Sequence, residues 1–430
     1  MEPERAGRAR AFAVDIAPLR ESPAYRALWG GQIISLIGTH MRVVAVPFQV
    51  FALTQSSAAV GLVGLMEVVP LILLAILGGV LLDVFDRRRI MAIAQLLLTA
   101  NSVLLAILTL TGRASLIWIY SLVAIAAGLS AVDQPARASM TPSLVRAELI
   151  PAAVALRQVV HQITLIVGPA LGGLLIAALG GNVGYLYLID GATFLLALVF
   201  LRWVPPVKPS AGLDDGSPPR PTPSAVKEGL SYAFRNRLIL SIFLIDLVAM
   251  VFGMPRAVFP ALAAGTFDVG AAGLGLLYGA PAVGALIGAL TTGWVSGVRR
   301  RGLAVISAVT CWGAAITLAG LSLFSFPLTL FWLALAGTAD VISAVFRGTM
   351  LLAATPGPLL GRINALNLMV VTGGPRLGDV EAGLVAQAFG PGPSIIVGGV
   401  ACLLGTAAVG GGFRALRHHQ SEAGTPVSRT

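Results

Sequence analysis

Residues 90–112 read IMAIAQLLLTANSVLLAILTLTG, a stretch without one charged side chain. The stretch begins directly after Arg87-Arg88-Arg89 and ends before Arg113. About 20 residues of α-helix cross the hydrocarbon core of a bilayer, because each residue adds about 1.5 Å. Backbone groups in lipid must bond to one another, and the stretch lacks the alternation of a barrel strand. It therefore predicts a transmembrane helix that follows a basic turn.

The same pattern fills most of the chain. Of its 430 residues, 57% are hydrophobic and 11% are charged, and the mean hydropathy is +0.88. A soluble domain carries about 25% charged residues. We therefore predict an all-α integral membrane protein of about twelve transmembrane helices. The predicted helices lie near 27–52, 58–82, 89–111, 115–136, 149–179, 183–202, 237–263, 271–296, 303–323, 328–348, 361–388 and 393–413.

The basic residues predict the orientation of these helices. Every second connection is rich in arginine, whereas the alternate connections hold only Arg113. Loops rich in positive charge stay in the cytoplasm, so both termini are expected on the cytoplasmic side. The expected location of the protein is the cell membrane. The net charge of +10 follows from this bias. Since the charges lie in short loops between apolar spans, nucleic acid is not an expected partner.

The chain reads as a duplication. Arg137-Ala-Ser-Met140 recurs as Arg347-Gly-Thr-Met350, and the triple arginine at 87–89 recurs at 299–301. Both offsets are close to half the length of the chain. Two parallel repeats suit a transporter with its substrate site between the halves. The predicted divisions are a cytoplasmic tail (1–26), a six-helix bundle (27–202), a proline-rich cytoplasmic linker (203–236), a second six-helix bundle (237–413) and a cytoplasmic tail (414–430).

A possible cytoplasmic gate follows the second predicted helix. The sequence there is Gly79-Val-Leu-Leu-Asp83-Val-Phe-Asp86-Arg87-Arg88-Arg89. Glycine permits close helix approach, and the Asp83 carboxylate suits the donors of a neighbouring helix start. Asp133, at the end of the fourth predicted helix, is a candidate partner of Arg87 or Arg88. A solvated basic turn obeying the positive-inside rule is the alternative interpretation.

This turn resembles the signature loop of the major facilitator superfamily. The resemblance implies two pseudo-symmetric six-helix bundles and a cytoplasmic latch, closed when the transporter faces outward. Asp83, Arg87 and Arg88 match the pattern, but Asp86 stands where glycine is usual. In the second half, Gly297 replaces the acid.

Two further motifs indicate export by resemblance. The glycine-proline motif of superfamily exporters, typical of antiporters, is matched by Gly168, Pro169, Gly172 and Gly173. A generic helix kink is the alternative. The segment 376–383, with 133–137 and 235–237, resembles the siderophore-exporter branch that includes the enterobactin exporters and actinobacterial relatives. The arginine motif of drug antiporters in the fourth helix is missing.

Placing a charged residue inside a membrane span costs free energy, so such residues are functional candidates by default. Arg42 and Glu67 fall at similar predicted depths, so we expect them to pair or Glu67 to carry a proton. Asp246 and Asp340 are further candidates for proton coupling. Arg376 and Asp379 are spaced to pair on one helix face. For each, a structural ion pair or an interfacial position is the alternative.

A second kind of candidate is cationic. Arg157 and His161 are one helical turn apart and would present a positive pocket to an anionic ligand. His40 lies on the first predicted helix.

We therefore expect a secondary active exporter, a proton-coupled antiporter of a small molecule such as a siderophore, drug or secondary metabolite. The expected partners are that substrate, protons and the lipid bilayer, and the expected state is a monomer. No phosphate loop, nucleophile cluster, metal site or cofactor site is expected, so the chain is not predicted to be an enzyme. A non-transporting scaffold or sensor, or an importer of the same superfamily, is the alternative.

Overall fold

The computed structural model describes residues 15–207 and 230–419, without the side chains of 75–83 and 296. Within these ranges lie twelve long helices, one near each predicted range. They are α1 (Pro23–Thr54), α2 (Ser57–Val84), α3 (Arg87–Leu110), α4 (Leu116–Leu144), α5 (Ile150–Ala178), α6 (Gly184–Phe200), α7 (Arg237–Phe252), α8 (Gly270–Thr291), α9 (Arg301–Leu321), α10 (Phe326–Ala354), α11 (Leu360–Phe389) and α12 (Pro391–Gly412). The predicted all-α membrane fold is confirmed.

Short polar side chains start several of these helices. Ser22 accepts a hydrogen bond from the Tyr25 amide at 3.1 Å and begins α1. Asp86 accepts from the Arg88 amide at 2.8 Å, so this residue, unusual for the signature loop, is the N-cap of α3. Asn236 caps α7 in the same way. Caps fix the helix starts because the first four amides of a helix have no partner within it.

Eleven spans in the described parts of the chain are long and apolar enough to cross a membrane. Of the twelve helices, α11 falls short on composition, although its 30 residues suffice in length. It carries Arg362, Arg376, Asp379 and Glu381. Such a helix is stable at membrane depth only where its charges face protein or water.

The helices form two bundles with matching contacts, α1–α6 and α7–α12. In the first bundle α1 packs on α5 and α6, α2 on α4, and α3 on α4 and α6. In the second, α7 packs on α11 and α12, α8 on α10, and α9 on α10 and α12. Each contact of the first bundle thus has its counterpart six helices later, as a duplicated chain requires.

The two ends of this helix assembly differ in charge. We call the end that carries Arg87–Arg89 and Arg299–Arg301 the arginine-rich end, and the end that carries the α1–α2 and α11–α12 turns the opposite end. The latter turns hold Gln55 and Gly390 and no charged side chain.

The bundles meet through two antiparallel helix pairs, α2 with α11 and α5 with α8. Glycines allow the closest approaches: a Cβ on Gly383 would lie 2.5 Å from the Ser57 carbonyl oxygen, and one on Gly275 would lie 2.6 Å from the Pro169 carbonyl oxygen. Ser56 Oγ donates across the interface to Gln387 Oε1 at 2.7 Å. These contacts lie toward the opposite end, which is therefore closed.

The seventh span is broken, unlike the continuous helix predicted over 237–263. After α7 the chain continues as a 3-10 turn (Arg256–Val258), a helical turn (Phe259–Ala261) and a π-helix (Leu262–Thr266). Pro255 lacks an amide and cannot continue the helix, and Trp312 Nε1 donates to the freed Gly253 carbonyl oxygen at 3.0 Å. The break turns Arg256 toward α2 and α11.

Parts of the predicted linker pack on the bundles. The Val207 carbonyl oxygen accepts from the Arg87 amide at 3.2 Å. Tyr232 donates to the Ala354 carbonyl oxygen at 3.4 Å, and Ala233 is buried against the second bundle. The middle of the linker (208–229) and the predicted tails at 1–14 and 420–430 lie outside the described residues.

Substitution of Gly275 tests the closed end. We expect Gly275→Ala to push α8 away from α5 at the opposite end, because the new methyl group would lie 2.6 Å from the Pro169 carbonyl oxygen. Gly279→Ala is the matched control, since the nearest atom there, the Ile166 carbonyl oxygen, is 3.6 Å away. Both changes alter helix propensity by the same amount, about 1 kcal/mol.

The measurement is thiol cross-linking of a Ser56→Cys/Gln387→Cys pair across the closed end. Cys311 is exposed and is replaced by serine, whereas Cys402 is buried and stays. Gly275→Ala is expected to lower the cross-linking yield severalfold and Gly279→Ala to leave it near the parent value. Equal yields in the two variants would contradict the assigned contact.

Candidate functional site

The charged side chains inside the spans lie in a few ion-paired groups. A charge in the hydrocarbon region costs several kcal/mol unless it is neutralised or reaches water. The site residues predicted from the sequence are therefore best described by the partners that the tertiary structure gives them.

One group joins the two bundles. Arg376 Nε on α11 donates to Glu67 Oε2 on α2 at 3.0 Å. The same guanidinium donates through Nη1 to the Thr372 carbonyl oxygen at 2.6 Å. The two side chains keep 23% and 34% of their surface exposed, so the pair borders solvent-accessible space between the bundles. This ion pair forms only where α2 and α11 are in contact.

A second pair adjoins it. Arg256 Nη2, in the broken part of the seventh span, donates to Asp379 Oδ2 at 2.9 Å. Tyr278 on α8 donates to the Arg256 carbonyl oxygen at 3.1 Å and ties the break to the bundle. The two pairs together hold two acids and two arginines and are neutral as a group.

Two predicted pairings are therefore wrong. Arg42 does not pair with Glu67, and Arg376 does not pair with Asp379, its neighbour along α11. Packing of α11 between α2 and the broken seventh span gives each charge a partner on another helix. Sequence spacing within one helix could not reveal those partners.

A separate group lies inside the first bundle. Arg42 Nη1 on α1 donates to Asp190 Oδ2 on α6 at 3.2 Å, and Ser102 Oγ on α3 donates to the same oxygen at 2.7 Å. Asp190 is 1% exposed. The sequence interpretation overlooked Asp190, although it is the lone acid of the span predicted at 183–202. The group cross-links three helices of one bundle.

The second bundle contains a group with unequal charges. Arg347 Nη2 on α10 lies 2.8 Å from Asp246 Oδ1 on α7 and 3.9 Å from Asp340 Oδ1 on α10. Ser343 Oγ accepts from Arg347 Nη1 at 3.0 Å. Two carboxylates thus share one guanidinium, and Asp340 is 29% exposed while Asp246 is 1% exposed. Asp340 is the less tightly held acid.

The predicted gate is only partly described. Asp133 Oδ2 accepts from Arg137 Nη2 at 3.0 Å within α4, so the predicted pairing of Asp133 with Arg87 or Arg88 is absent from the described contacts. Arg87 Nη1 donates instead to the Ser139 carbonyl oxygen at 3.0 Å. The side chain of Asp83, like the surroundings of Gly79, lies outside the described part.

Arg137 and Arg347, known from the sequence only as a repeat, are not among the predicted site residues. Both are buried within helices, with 7% and 6% of their side chains exposed. Their recurrence in the two halves was the signal that could have found them. Each lies the same distance from the arginine-rich end of its helix, α4 or α10.

The glycine-proline motif lies where α5 meets two other helices. Gly168 and Gly172 contact His40 and Met41 on α1. On the neighbouring face, Pro169 and Gly173 contact Gly275 on α8. The motif therefore packs α5 within its own bundle and against the second one.

Comparison with known proteins identifies the family. The family described as transmembrane secretion effector, of the major facilitator superfamily, matches residues 13–429. The chain belongs to this family. It is a multi-pass membrane efflux transporter rather than an enzyme.

Curated relatives agree over most of the chain. The enterobactin exporter EntS of Shigella boydii serotype 18 is 30% identical over 405 residues, which are 92% of this chain and 94% of the relative. EntS of an Escherichia coli O1:K1 strain is 29% identical over 405 residues, which are again 92% of this chain and 94% of the relative.

Solved structures share the fold. A mutant of the nucleoside transporter NupG has a TM-score of 0.74 at 12% sequence identity, and the match covers 91% of this chain and 100% of the NupG chain. A bacterial homologue of the lysosomal transporter Spinster, inward-facing and unoccupied, has a TM-score of 0.72 at 15% identity, covering 92% of this chain and 98% of its own.

The Glu67–Arg376 pair predicts a coupling between charge and closure. Glu67→Gln should lower cross-linking of the Ser56→Cys/Gln387→Cys pair, because Arg376 loses its carboxylate while still facing α2. In Glu67→Gln/Arg376→Gln neither charge is left alone, so part of the yield should return. A double variant no better than the single one would contradict a direct interaction.

The Arg42–Asp190–Ser102 group predicts a stability effect. Asp190→Asn leaves Arg42 buried without its carboxylate, at a cost of about 3–5 kcal/mol. Ser102→Ala removes one hydrogen bond to a charged group, at about 1–3 kcal/mol. Thermal unfolding in detergent is the measurement.

The control for these variants is Glu21→Gln. The Arg146–Glu21 pair has a shorter distance, 2.6 Å, but its side chains are 68% and 45% exposed. Its loss should cost less than about 1 kcal/mol. If Glu21→Gln and Asp190→Asn lowered the melting temperature equally, burial would not be the cause.

Proposed function

We propose that the chain is a secondary active exporter that moves a small organic molecule out of the cell in exchange for protons. Siderophores are the first substrate class to test, because the curated relatives are named enterobactin exporters. The chain is proposed to work as a monomer by alternating access, with the substrate between the bundles. Its divisions are those predicted: cytoplasmic tails at 1–26 and 414–430, bundles at 27–202 and 237–413, and a linker at 203–236.

The observation that carries this proposal is the position of the glycine-proline motif. Its residues pack α5 on α1 through one face and on α8 through the next. Bundles that rock against each other need a smooth, close contact at such a place, and small residues supply it. By resemblance, this motif is typical of antiporting exporters.

The orientation follows from the charges. The arginine-rich end carries the short basic loops and is assigned to the cytoplasm, together with both termini. The closed opposite end then faces outward, and the structure corresponds to a state open toward the cytoplasm. An exporter loads its substrate in that state. Gly79, Asp83, Arg87, Arg88 and Asp133 are proposed to close the cytoplasmic end in the alternate state.

Proton coupling is assigned to the group around Arg347. Asp246 compensates its charge at 2.8 Å, so Asp340 adds a further negative charge at 3.9 Å. Binding of one proton would make the group neutral, and Asp340, at 29% exposed against 1% for Asp246, is the more accessible of the two acids. Glu67 and Asp379 each have an arginine partner and rank behind Asp340 as carriers.

The test is uptake into everted membrane vesicles that contain the protein, with a panel of siderophores, dyes and antibiotics. Uptake abolished by a protonophore is the expected result and would define the substrate class. Uptake insensitive to the protonophore would refute proton coupling and leave transport. Uptake only into right-side-out vesicles would favour an importer, and failure of every substrate to move would favour the scaffold or sensor.

Asp340→Asn tests the coupling residue. We expect substrate-driven proton movement to fall to the background level, because the surplus carboxylate is gone, while substrate binding persists. The measurement is a pH-sensitive dye inside proteoliposomes after substrate addition. Glu148→Gln, at an exposed position, is the matched control and should keep full coupling. Normal proton movement in Asp340→Asn would move the assignment to Asp246, Glu67 or Asp379.

A further inference from the structure

A cationic cluster between α1 and α5 has no part in the ion pairs described above. The imidazole rings of His40 on α1 and His161 on α5 lie with their centroids 5.8 Å apart. Arg157 lies one turn before His161 on the same face of α5. The three side chains therefore form one group across a helix–helix contact.

The position of His161 on α5 shows which space the cluster borders. Two helical turns later the same side of α5 presents Gly168 to α1 and Pro169 to α8. His161 thus points between α1 and the second bundle, and it is exposed. The α5–α8 contact is looser on this side, since a Cβ would lie 2.6 Å from the nearest α5 atom at Gly275 but 3.6 Å at Gly279. The cluster borders the cleft between the bundles.

The cluster lacks a compensating charge. Among the described side chains, no carboxylate lies within ion-pair distance of Arg157, whereas Arg42, Arg137, Arg256, Arg347 and Arg376 each have one. His40 Nε2 is buried and has no hydrogen-bond partner. An uncompensated cation and an unused polar atom at membrane depth are costly, and a ligand would relieve both.

We propose that Arg157, His40 and His161 form a binding subsite for an anionic oxygen group, a carboxylate or phenolate, of the exported molecule. This inference rests on the proposed export function and adds the chemical class of the substrate. The planar guanidinium matches a carboxylate through two parallel hydrogen bonds. The imidazole N–H groups of His40 and His161 supply further donors.

The site also fits the transport direction. In the state with a closed opposite end, the cleft beside His161 opens toward the arginine-rich end, so an anion would enter past Arg157 before it reaches His40. The glycine contacts of α5 with α1 and α8 lie just beyond and stop its passage.

The test is NMR of the purified full-length chain in lipid nanodiscs, with the imidazole carbons of its four histidines labelled. Salicylate is the probe, and salicylamide is its uncharged counterpart. We expect salicylate to shift the His40 and His161 signals, assigned through His40→Asn and His161→Asn, and salicylamide to shift neither. The tail residues His418 and His419 serve as internal references that should not move.

Arg157→Gln is expected to weaken salicylate binding about tenfold or more, since a charge-assisted pair is lost. Arg113→Gln removes an exposed loop arginine and should bind like the parent. If Arg157→Gln fails to fold, Arg157→Lys replaces it and should weaken binding by a smaller factor, because lysine keeps the charge but not the fork.

The outcomes separate this inference from the export function. Unchanged affinity in Arg157→Gln, or equal shifts with salicylamide, would overturn the subsite even if vesicles transport a substrate. Shifts confined to His40 and His161 in a protein that transports nothing would support the subsite and refute the export proposal.

Discussion

The cost of an uncompensated charge inside a membrane governs this structure. Among the described side chains, six acids within the spans lie beside an arginine, and four of them beside an arginine from another helix. Arg42 and Asp190 hold three helices of the first bundle together, and Arg347 and Asp246 join two helices of the second. The bundles are thereby rigid units, because separating any of these helices would leave a charge unpaired in a medium of low dielectric constant.

The same constraint makes the interface between the bundles reversible. Glu67 and Arg376 are partly exposed, so either side chain can be hydrated when the bundles separate. They lie at the same end as Gly275 and Gly383, whose contacts require the backbones to touch. Charge pairing and close packing therefore form together at that end. A state with that end open loses both, and contacts elsewhere must replace them.

The Arg347 group in the second bundle and Arg157 in the first bundle both depart from charge balance. Asp340 adds a carboxylate to an arginine already paired, and Arg157 is a cation without a carboxylate among the described side chains. In the proposed exchange of an anionic molecule for a proton, each imbalance would be neutralised by its own ligand. Since the two groups lie in different bundles, occupancy of each can bias the position of one bundle relative to the other.

The sequence by itself determined the membrane class, the approximate places of the twelve helices, the duplication and the family, because hydropathy, helix length and short motifs are local properties of the chain. It also indicated which charges matter. Only the tertiary structure decided their partners: Glu67 with Arg376, and Asp379 with Arg256 across the broken seventh span. Ion pairs between helices depend on the rotation of each helix about its axis and on helix breaks such as the one at Pro255. Residue spacing along one helix sets neither.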